Sequence, residues 1–238
     1  MKNVKILLGF VSLLLTLPSC NKDDNNTNRI VQVSAKSTFT GLKTGKSAAS
    51  VITLSLFKVN INEIKFKYEN ENEDNHNGDD NHDGFFDGED NFKLIGPFEL
   101  DLLGGQVDLI ATDIPQEVYE EVEFKLAKNT NSSAPLFSKS IEIRGTINGT
   151  PFVFWHDIEE KVEVDYKNAS NNITIGQNSV SIVFNFNLDE VFANIDLTLA
   201  KDGNGDGVIE ISPIDPDGNQ DLAHLLKDKI EEFTELED

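Results

Sequence analysis

Apolar residues recurring at every second position limit this chain more than any other feature. Val122, Phe124 and Leu126 keep strict spacing two, as do Phe98, Leu100 and Leu102, then Val107 and Leu109. Val162, Val164 and Tyr166, then Ile173 and Ile175, then Val180, Ile182, Phe184 and Phe186 repeat it further on. A strand turns successive side chains to opposite faces, so this period predicts strands buried on one side. Ile30 to Val33 opens the series. Between Val51 and Tyr68 the alternation of Val59, Ile61, Ile64, Phe66 and Tyr68 slips once, at Asn62-Glu63. One extra residue in an alternation marks a bulge or a break between two strands. Asn148-Gly149, between Ile141–Ile147 and Phe152–Trp155, is a two-residue hairpin signal, and Pro151 after it suits a strand start or a sheet edge. About nine short strands so punctuated predict a mainly β fold, an antiparallel β-sandwich.

Two stretches read as helix. Leu188 to Ile195 is a short helix or turn. From Gln220 to Leu236, Leu222, Leu225, Leu226, Ile230, Phe233 and Leu236 recur at helical spacing with acids on the other face, and Asp221 is a candidate for the N-terminal cap. This C-terminal amphipathic helix is expected to pack on the sheet, with docking to a partner as the alternative.

The N-terminal segment places Lys2 and Lys5 before an apolar run from Ile6 to Leu17, followed by Pro18-Ser19-Cys20. That is a charged region, a short apolar core and a small residue before the cut, as in a secretory signal. The apolar run is shorter than the ~20 residues a spanning helix needs. Cys20, the chain's one cysteine, stands where the lipobox of bacterial lipoproteins, which this segment resembles, carries its acylated residue. The expectation is a lipid anchor, palmitate or a similar acyl chain, on Cys20 as the mature N-terminus. Asn21-Lys22-Asp23-Asp24 resembles the signal that sends some Gram-negative lipoproteins to the outer face of the outer membrane, and residues 20–29 read as a polar tether.

Cutting before Cys20 removes two lysines and no acid, which takes the net charge from −22 to −24. Phosphate contacts need clustered Lys and Arg, so nucleic acid is excluded as a partner, and so is electrostatic docking on an anionic membrane. No cysteine remains for a disulfide, so stability must come from packing and from metal.

The acids are concentrated. Residues 69–90 hold ten of them and no Lys or Arg. Within that stretch Asp79, Asn81, Asp83, Asp87 and Asp90 place oxygens at positions 1, 3, 5, 9 and 12 of a calcium loop. Gly84 stands at the sharp turn of position 6, and Phe85 offers its carbonyl at position 7. A second copy runs Asp202, Asn204, Asp206, Gly207, Val208 and Glu210 at positions 1, 3, 5, 6, 7 and 9. Its position 12 is Pro213, so the closing ligand must come from elsewhere, Asp215 or Asp217. Neither loop lies between two helices, so both read as calcium sites on a β scaffold, in the weak affinity class of extracellular modules. His76 and His82 lack zinc-site spacing. Trp155, in Trp155-His156-Asp157 at a strand end, is either a half-buried residue closing the strand or a stacking surface for a sugar ring.

The order of Val59–Phe66, then Leu100-Asp101-Leu102-Leu103-Gly104-Gly105, then Ile114-Pro115-Gln116-Glu117-Val118-Tyr119 running on to Phe124, resembles the domain-of-unknown-function family 4382 of bacterial lipoproteins. That family carries an "Asp-Leu-Leu" strand followed by "Pro-x-Gly-x-Tyr"; Glu117 stands here where glycine is usual. The resemblance spans residues 30–190 and implies a transthyretin- or immunoglobulin-like sandwich with no established activity.

The expected organisation is a signal over 1–19, a tether over 20–29, a β-sandwich over 30–218 with the acidic loop 69–90, and a helix over 219–238. The expected role is a surface-exposed, calcium-binding, lipid-anchored binding or adhesion module, with glycans as one ligand class. The alternative is a structural part of an envelope protein complex with no ligand of its own. No nucleophile elbow, phosphate loop or dinucleotide fingerprint is present, and no enzyme activity is expected.

Overall fold

The computed structural model describes residues 30–41, 43–44, 50–68, 86–87, 91–114, 118–164, 173–174 and 180–237. The lipobox segment with Cys20 lies outside them, as do Asp79, Asn81, Asp83, Phe85 and Asp90 of the first calcium loop, and Tyr166 and Ile175. In chain order the strands begin with β1 (Ile30–Thr38), β2 (Lys43–Thr44), β3 (Ser50–Tyr68), β4 (Phe86–Asp87) and β5 (Asn91–Asp101). Then come β6 (Val107–Asp113), β7 (Val118–Leu126), β8 (Ile141–Ile147), β9 (Thr150–His156), β10 (Glu160–Val164), β11 (Ile173–Thr174) and β12 (Val180–Asn187). Helix α1 (Leu188–Ala193), β13 (Ile209–Ile211), helix α2 (Gln220–Glu232) and β14 (Thr234–Glu237) complete the order. Two sheets result. The smaller runs β14-β12-β1-β6; the larger contains β10, β7, β3, β8, β9 and β13, with β5 also on β3.

The inward sets predicted from the alternation are buried. Val122, Phe124 and Leu126 of β7 face Ile182, Phe184 and Phe186 of β12 across the sandwich. Phe124 meets Phe184 edge to face at 5.2 Å and Phe186 at 5.8 Å, and Phe57 of β3 meets Phe186 at 5.6 Å. Such pairs add about 0.5–1.5 kcal/mol each beyond area burial. The outward face of the larger sheet carries alternating charge: Lys65 lies opposite Glu123, and Lys67 opposite Glu121.

Strand β3 organises the larger sheet. Val59 pairs with Leu100 of β5 and with Ile141 of β8, while Ile61 pairs with Phe98 of β5 and with Leu126 of β7. A strand has two edges, so β5 takes one, and β8 and β7 divide the other between them. At the join stands Asn60, fully buried, whose amide group donates to the Ala127 carbonyl at 2.7 Å. The register shifts between Ile61 and Glu63, so the slip at Asn62 is a bulge rather than a break. A second shift lies between Leu54 and Leu56. Each bulge is met by a glycine on a neighbouring strand. A Cβ on Gly145 would stand 1.8 Å from the Thr53 carbonyl oxygen, and one on Gly96 would stand 2.5 Å from that of Ile61.

The hairpin at Asn148-Gly149 forms as predicted, with φ of 52° and 87°, the doubly positive turn that matches strand twist. Three details differ from expectation. Pairing is mixed, since β1 runs parallel to β12 and β13 parallel to β9. Helix α2 stops at Glu232, and Thr234–Glu237 becomes an edge strand on β12, so Leu236 is buried by the sheet and not by the helix. Asp221 caps nothing; the cap residue is Asn219. Leu222, Ala223, Leu226 and Ile230 are the buried face of α2, which packs on β9, β13 and α1, while Leu225 is exposed. Among the described residues no helix is long and apolar enough to cross a membrane.

Candidate functional site

The second of the loops with calcium-ligand spacing leaves α1 and the short 3-10 turn at Leu197–Leu199, and runs directly into β13. Its first aspartate organises it. Asp202 accepts from the Gly205 and Asp206 amides on Oδ1, at 2.7 and 3.1 Å, and from the Gly207 amide on Oδ2 at 2.8 Å. Asn204 Oδ1 accepts from the Asp206 amide at 2.8 Å, and Asp206 Oδ1 from the Val208 amide at 2.9 Å. Gly207 takes the left-handed conformation predicted for position 6, with φ of 91°. The side chains at positions 1, 3 and 5 therefore wrap their own backbone into one tight turn. In both loops the residue at position 8 enters a strand: Ile209 pairs with Phe152, and Phe86 with Phe92. Of the first loop, the backbone of Phe86–Asp87 is the described part.

Two buried aspartates follow the second loop, and one of them closes it. Asp217 accepts from the Asn204 amide at 3.0 Å and from the Glu210 amide at 2.7 Å, which joins the two ends of the loop. Asp215 instead turns toward the chain that follows, accepting from the Asp217 amide at 2.8 Å and the Asn219 amide at 3.1 Å. Asp217 is thus the one of the two candidates whose carboxylate meets the loop. Gly203 lets the segments touch, because a Cβ there would lie 2.3 Å from the Asp217 carbonyl oxygen. Asn219, buried, then locks the base. Its amide group donates to the Lys201 carbonyl at 2.8 Å and the Glu210 carbonyl at 2.6 Å, and its Oδ1 accepts from the Lys201 amide at 3.2 Å. Among the described residues, no Lys or Arg ion pair neutralises Asp202, Asp206, Glu210, Asp215 or Asp217. Sequence reasoning left the closing residue open and missed Asn219; the signal was there in the spacing-two run Asp215, Asp217, Asn219.

No family model matches this chain, and no curated protein or solved structure shows significant similarity to it. Its chemistry is therefore read from geometry.

Among the described residues, the one set of three acidic, histidine or cysteine side chains with ligand atoms all within 4.8 Å is Glu121, Glu123 and Glu163. The carboxylates of the 202–217 loop do not make such a set. The glutamate set already has its cations: Lys67 reaches Glu121 at 2.5 Å and Glu123 at 3.1 Å, and Lys161 reaches Glu123 at 3.0 Å. Burial pushes the Glu123 carboxyl up, but hydrogen bonds from Lys161 and Lys67 outweigh it and hold the group below its ordinary value. This is a charge ladder on the outer face of the sheet.

Trp155 is half-buried on the outward face of β9, opposite Glu142 of β8. Lys139 Nζ stands 5.7 Å from its ring centroid. The same lysine holds the buried Glu142 carboxylate at 2.5 Å, and Arg144 holds it from the other side at 2.5 Å. Lys139 thus stands over the ring, so a sugar would stack on Trp155 from its other face or by displacing that lysine.

Proposed function

We propose that this chain is a lipid-anchored β-sandwich of the outer membrane, displayed at the cell surface, that binds calcium and serves as a binding or adhesion module for polysaccharide. The observation that carries the reading is the 202–217 loop. Aspartates at calcium-loop spacing accept from the amides of one backbone turn, and among the described residues no Lys or Arg ion pair balances them. Drawing like charges to ~4 Å costs on the order of 1 kcal/mol per pair even in water, so bringing these carboxylates together calls for a divalent cation as counter-charge. Its ligands would be the carboxylates of Asp202, Asp206 and Asp217, the side-chain oxygen of Asn204, the carbonyl of Val208, and Glu210. Exposed Asn204 and Asp206 would have to turn onto the ion, which suits a Kd on the order of 0.1–1 mM. The first loop, Asp79 to Asp90, is proposed as a second site of the same kind.

The lipid anchor at Cys20 and the outer-membrane address rest on the Lys2–Asp24 segment, and kinship with the lipoprotein family 4382 on the residues between Val59 and Phe124. Polysaccharide is favoured over a purely structural role by the Trp155 platform.

The test is retention of the purified protein on immobilised polysaccharides in millimolar calcium, magnesium or chelator, alongside thermal unfolding in the same buffers. Calcium-specific retention and a calcium-specific rise in Tm support the reading. Retention that ignores calcium, with no rise in Tm, removes the ion from it.

A further inference from the structure

Helix α2 is tied to the larger sheet by a group of ionisable side chains. His156, the last residue of β9, is 7% exposed, and neither of its ring nitrogens has a hydrogen-bond partner. Its ring meets that of His224 on α2 edge to face, with centroids 5.6 Å apart. From α2, Lys227 also faces it; from the β9–β10 connection and β10 come Asp157, whose Oδ1 is 3.7 Å from His156 Nδ1, and Glu160. Lys227 gathers carboxylates from both sides of the seam: Glu160 of β10 at 2.5 Å, and Glu231 and Asp228 of α2 at 3.2 and 3.3 Å. Glu231 Oε1 is buried without a hydrogen bond. His156 and His224 belong to no three-ligand set among the described residues.

We propose that helix α2 is docked by a proton-sensitive contact, in which protonation of His156 beside His224 and Lys227 loosens the helix from the sheet. An imidazolium here would be a buried charge with no hydrogen bond on either nitrogen, facing the Lys227 ammonium and a second imidazole, with the half-exposed Asp157 carboxylate at 3.7 Å only partly offsetting it. Undocking gives both nitrogens to water. Burial pushes the His156 imidazole down from its ordinary value of 6.5; Asp157 opposes this, and His224 and Lys227 reinforce it. The undocked form therefore binds the proton more readily. Docking is complete above 6.5 and is lost as pH falls from there through the lower docked value.

Glu231 works in the other direction. Burial raises it and Lys227 opposes this, while neighbouring Glu160 adds to the rise and leaves it at about 7. Its docked form holds the proton more firmly, so acidification from about 7 toward its ordinary 4.5 tightens the contact. The two titrations mask one another in the native chain, and substitution separates them.

The experiment is amide hydrogen exchange of Gln220–Glu232 in the full chain, corrected for intrinsic rates, at pH 7 and pH 5. In Glu231→Gln, which keeps the shape of the protonated acid, α2 opening should rise about threefold or more on acidification, because the opened form takes up a proton that the docked His156 resists, with the ratio of the two protonation constants as the upper bound. In the double variant Glu231→Gln/His156→Gln it should be flat. No rise in the single variant, or an equal rise in the double, overturns the proposal. Should the variants not fold, the imidazole of His156 in the native chain decides by NMR titration: protonation below 6.5 supports the latch, and protonation at or above 6.5 ends it.

Discussion

Asp217 gives the sharpest test of the loop, because its carboxylate serves the apo structure and the proposed ion together. Asp217→Ala strands the Asn204 and Glu210 amides, which the carboxylate accepts from at 3.0 and 2.7 Å. A buried unsatisfied donor costs about 1–3 kcal/mol. Asn204 is exposed, so water recovers most of its share, and Glu210 is half-buried. The expected loss is therefore about 2–3 kcal/mol, nearer the floor than the ceiling for two donors. For a domain of this size 1 kcal/mol moves Tm by about 2–4 °C, so Tm in chelator should fall by about 4–12 °C. Asp217→Asn keeps one oxygen acceptor and should lose about half as much. Calcium at ten times its Kd adds about 1.4 kcal/mol to the native protein by mass action, or about 3–6 °C. Both variants should lose most of that increment, because the charge is gone in each. Scanning calorimetry in chelator and in calcium reads all four numbers. A chelator Tm for Asp217→Ala within a degree of native would refute the hydrogen-bond argument. A full calcium increment in Asp217→Asn would refute the assignment of Asp217 as the closing ligand.

Other substitutions probe the scaffold and the platform. Gly145→Ala drives a methyl into the Thr53 carbonyl at the β3 bulge, and should lower stability by about 3 kcal/mol or more in urea unfolding; an unchanged midpoint would mean the bulge relaxes freely. Glu123, held below its ordinary 4.5 by Lys67 and Lys161, contributes stability that is present above 4.5 and lost as pH falls through its folded value. Glu123→Gln should therefore flatten the stability profile below pH about 4.5, which urea midpoints from pH 6 down to pH 3 would show. Trp155→Ala should weaken polysaccharide retention about tenfold, some 1.4 kcal/mol, with little change in Tm; retention equal to native would move the ligand off this face.

Periodicity carried most of the fold because burial in a sandwich is one-sided, and alternate residues report which side. In β3 the apolar set changes phase twice, from Ile52 and Leu54 to Phe57, Val59 and Ile61, and then to Ile64 and Phe66. Each change is a bulge in the structure. The second was legible because strong apolar residues bracket Asn62. The first was not, because the adjacent Leu56 and Phe57 offer apolar residues in both phases. Parallel pairing of β1 with β12 joins residues some 150 positions apart, and local pattern holds no record of that. The end of α2 misled for a related reason. Phe233 and Leu236 fit helical spacing after Ile230, but Leu236 fits spacing two equally well from Thr234, and the open edge of β12 decided the matter. In the candidate site, ligand spacing along the loop was plain. The choice of Asp217 over Asp215 was not, since it depends on how Gly203 lets the loop lie against the 215–219 segment.

Asn219 connects what would otherwise be two separate features. It stands at the N-cap position of α2, where its carbonyl accepts from the Ala223 amide and its side chain makes no cap bond, and that side chain is the clamp that closes the 202–210 loop through Lys201 and Glu210. An ion that orders the loop would therefore also steady the start of the helix, because the clamp fixes the residue whose carbonyl takes the first helical hydrogen bond. Near the other end of α2, Lys227 and Glu231 meet Glu160, and His224 meets His156. On these two proposals one 13-residue helix would have an ion-dependent start and a proton-dependent body. Its apolar face makes it a cooperative unit, so release at either end weakens the hold at the other. If both proposals hold, calcium should lower the exchange of Gln220–Glu232 and blunt the acid-induced opening in Glu231→Gln. Additive, independent effects would mean the helix opens from its ends rather than as a whole.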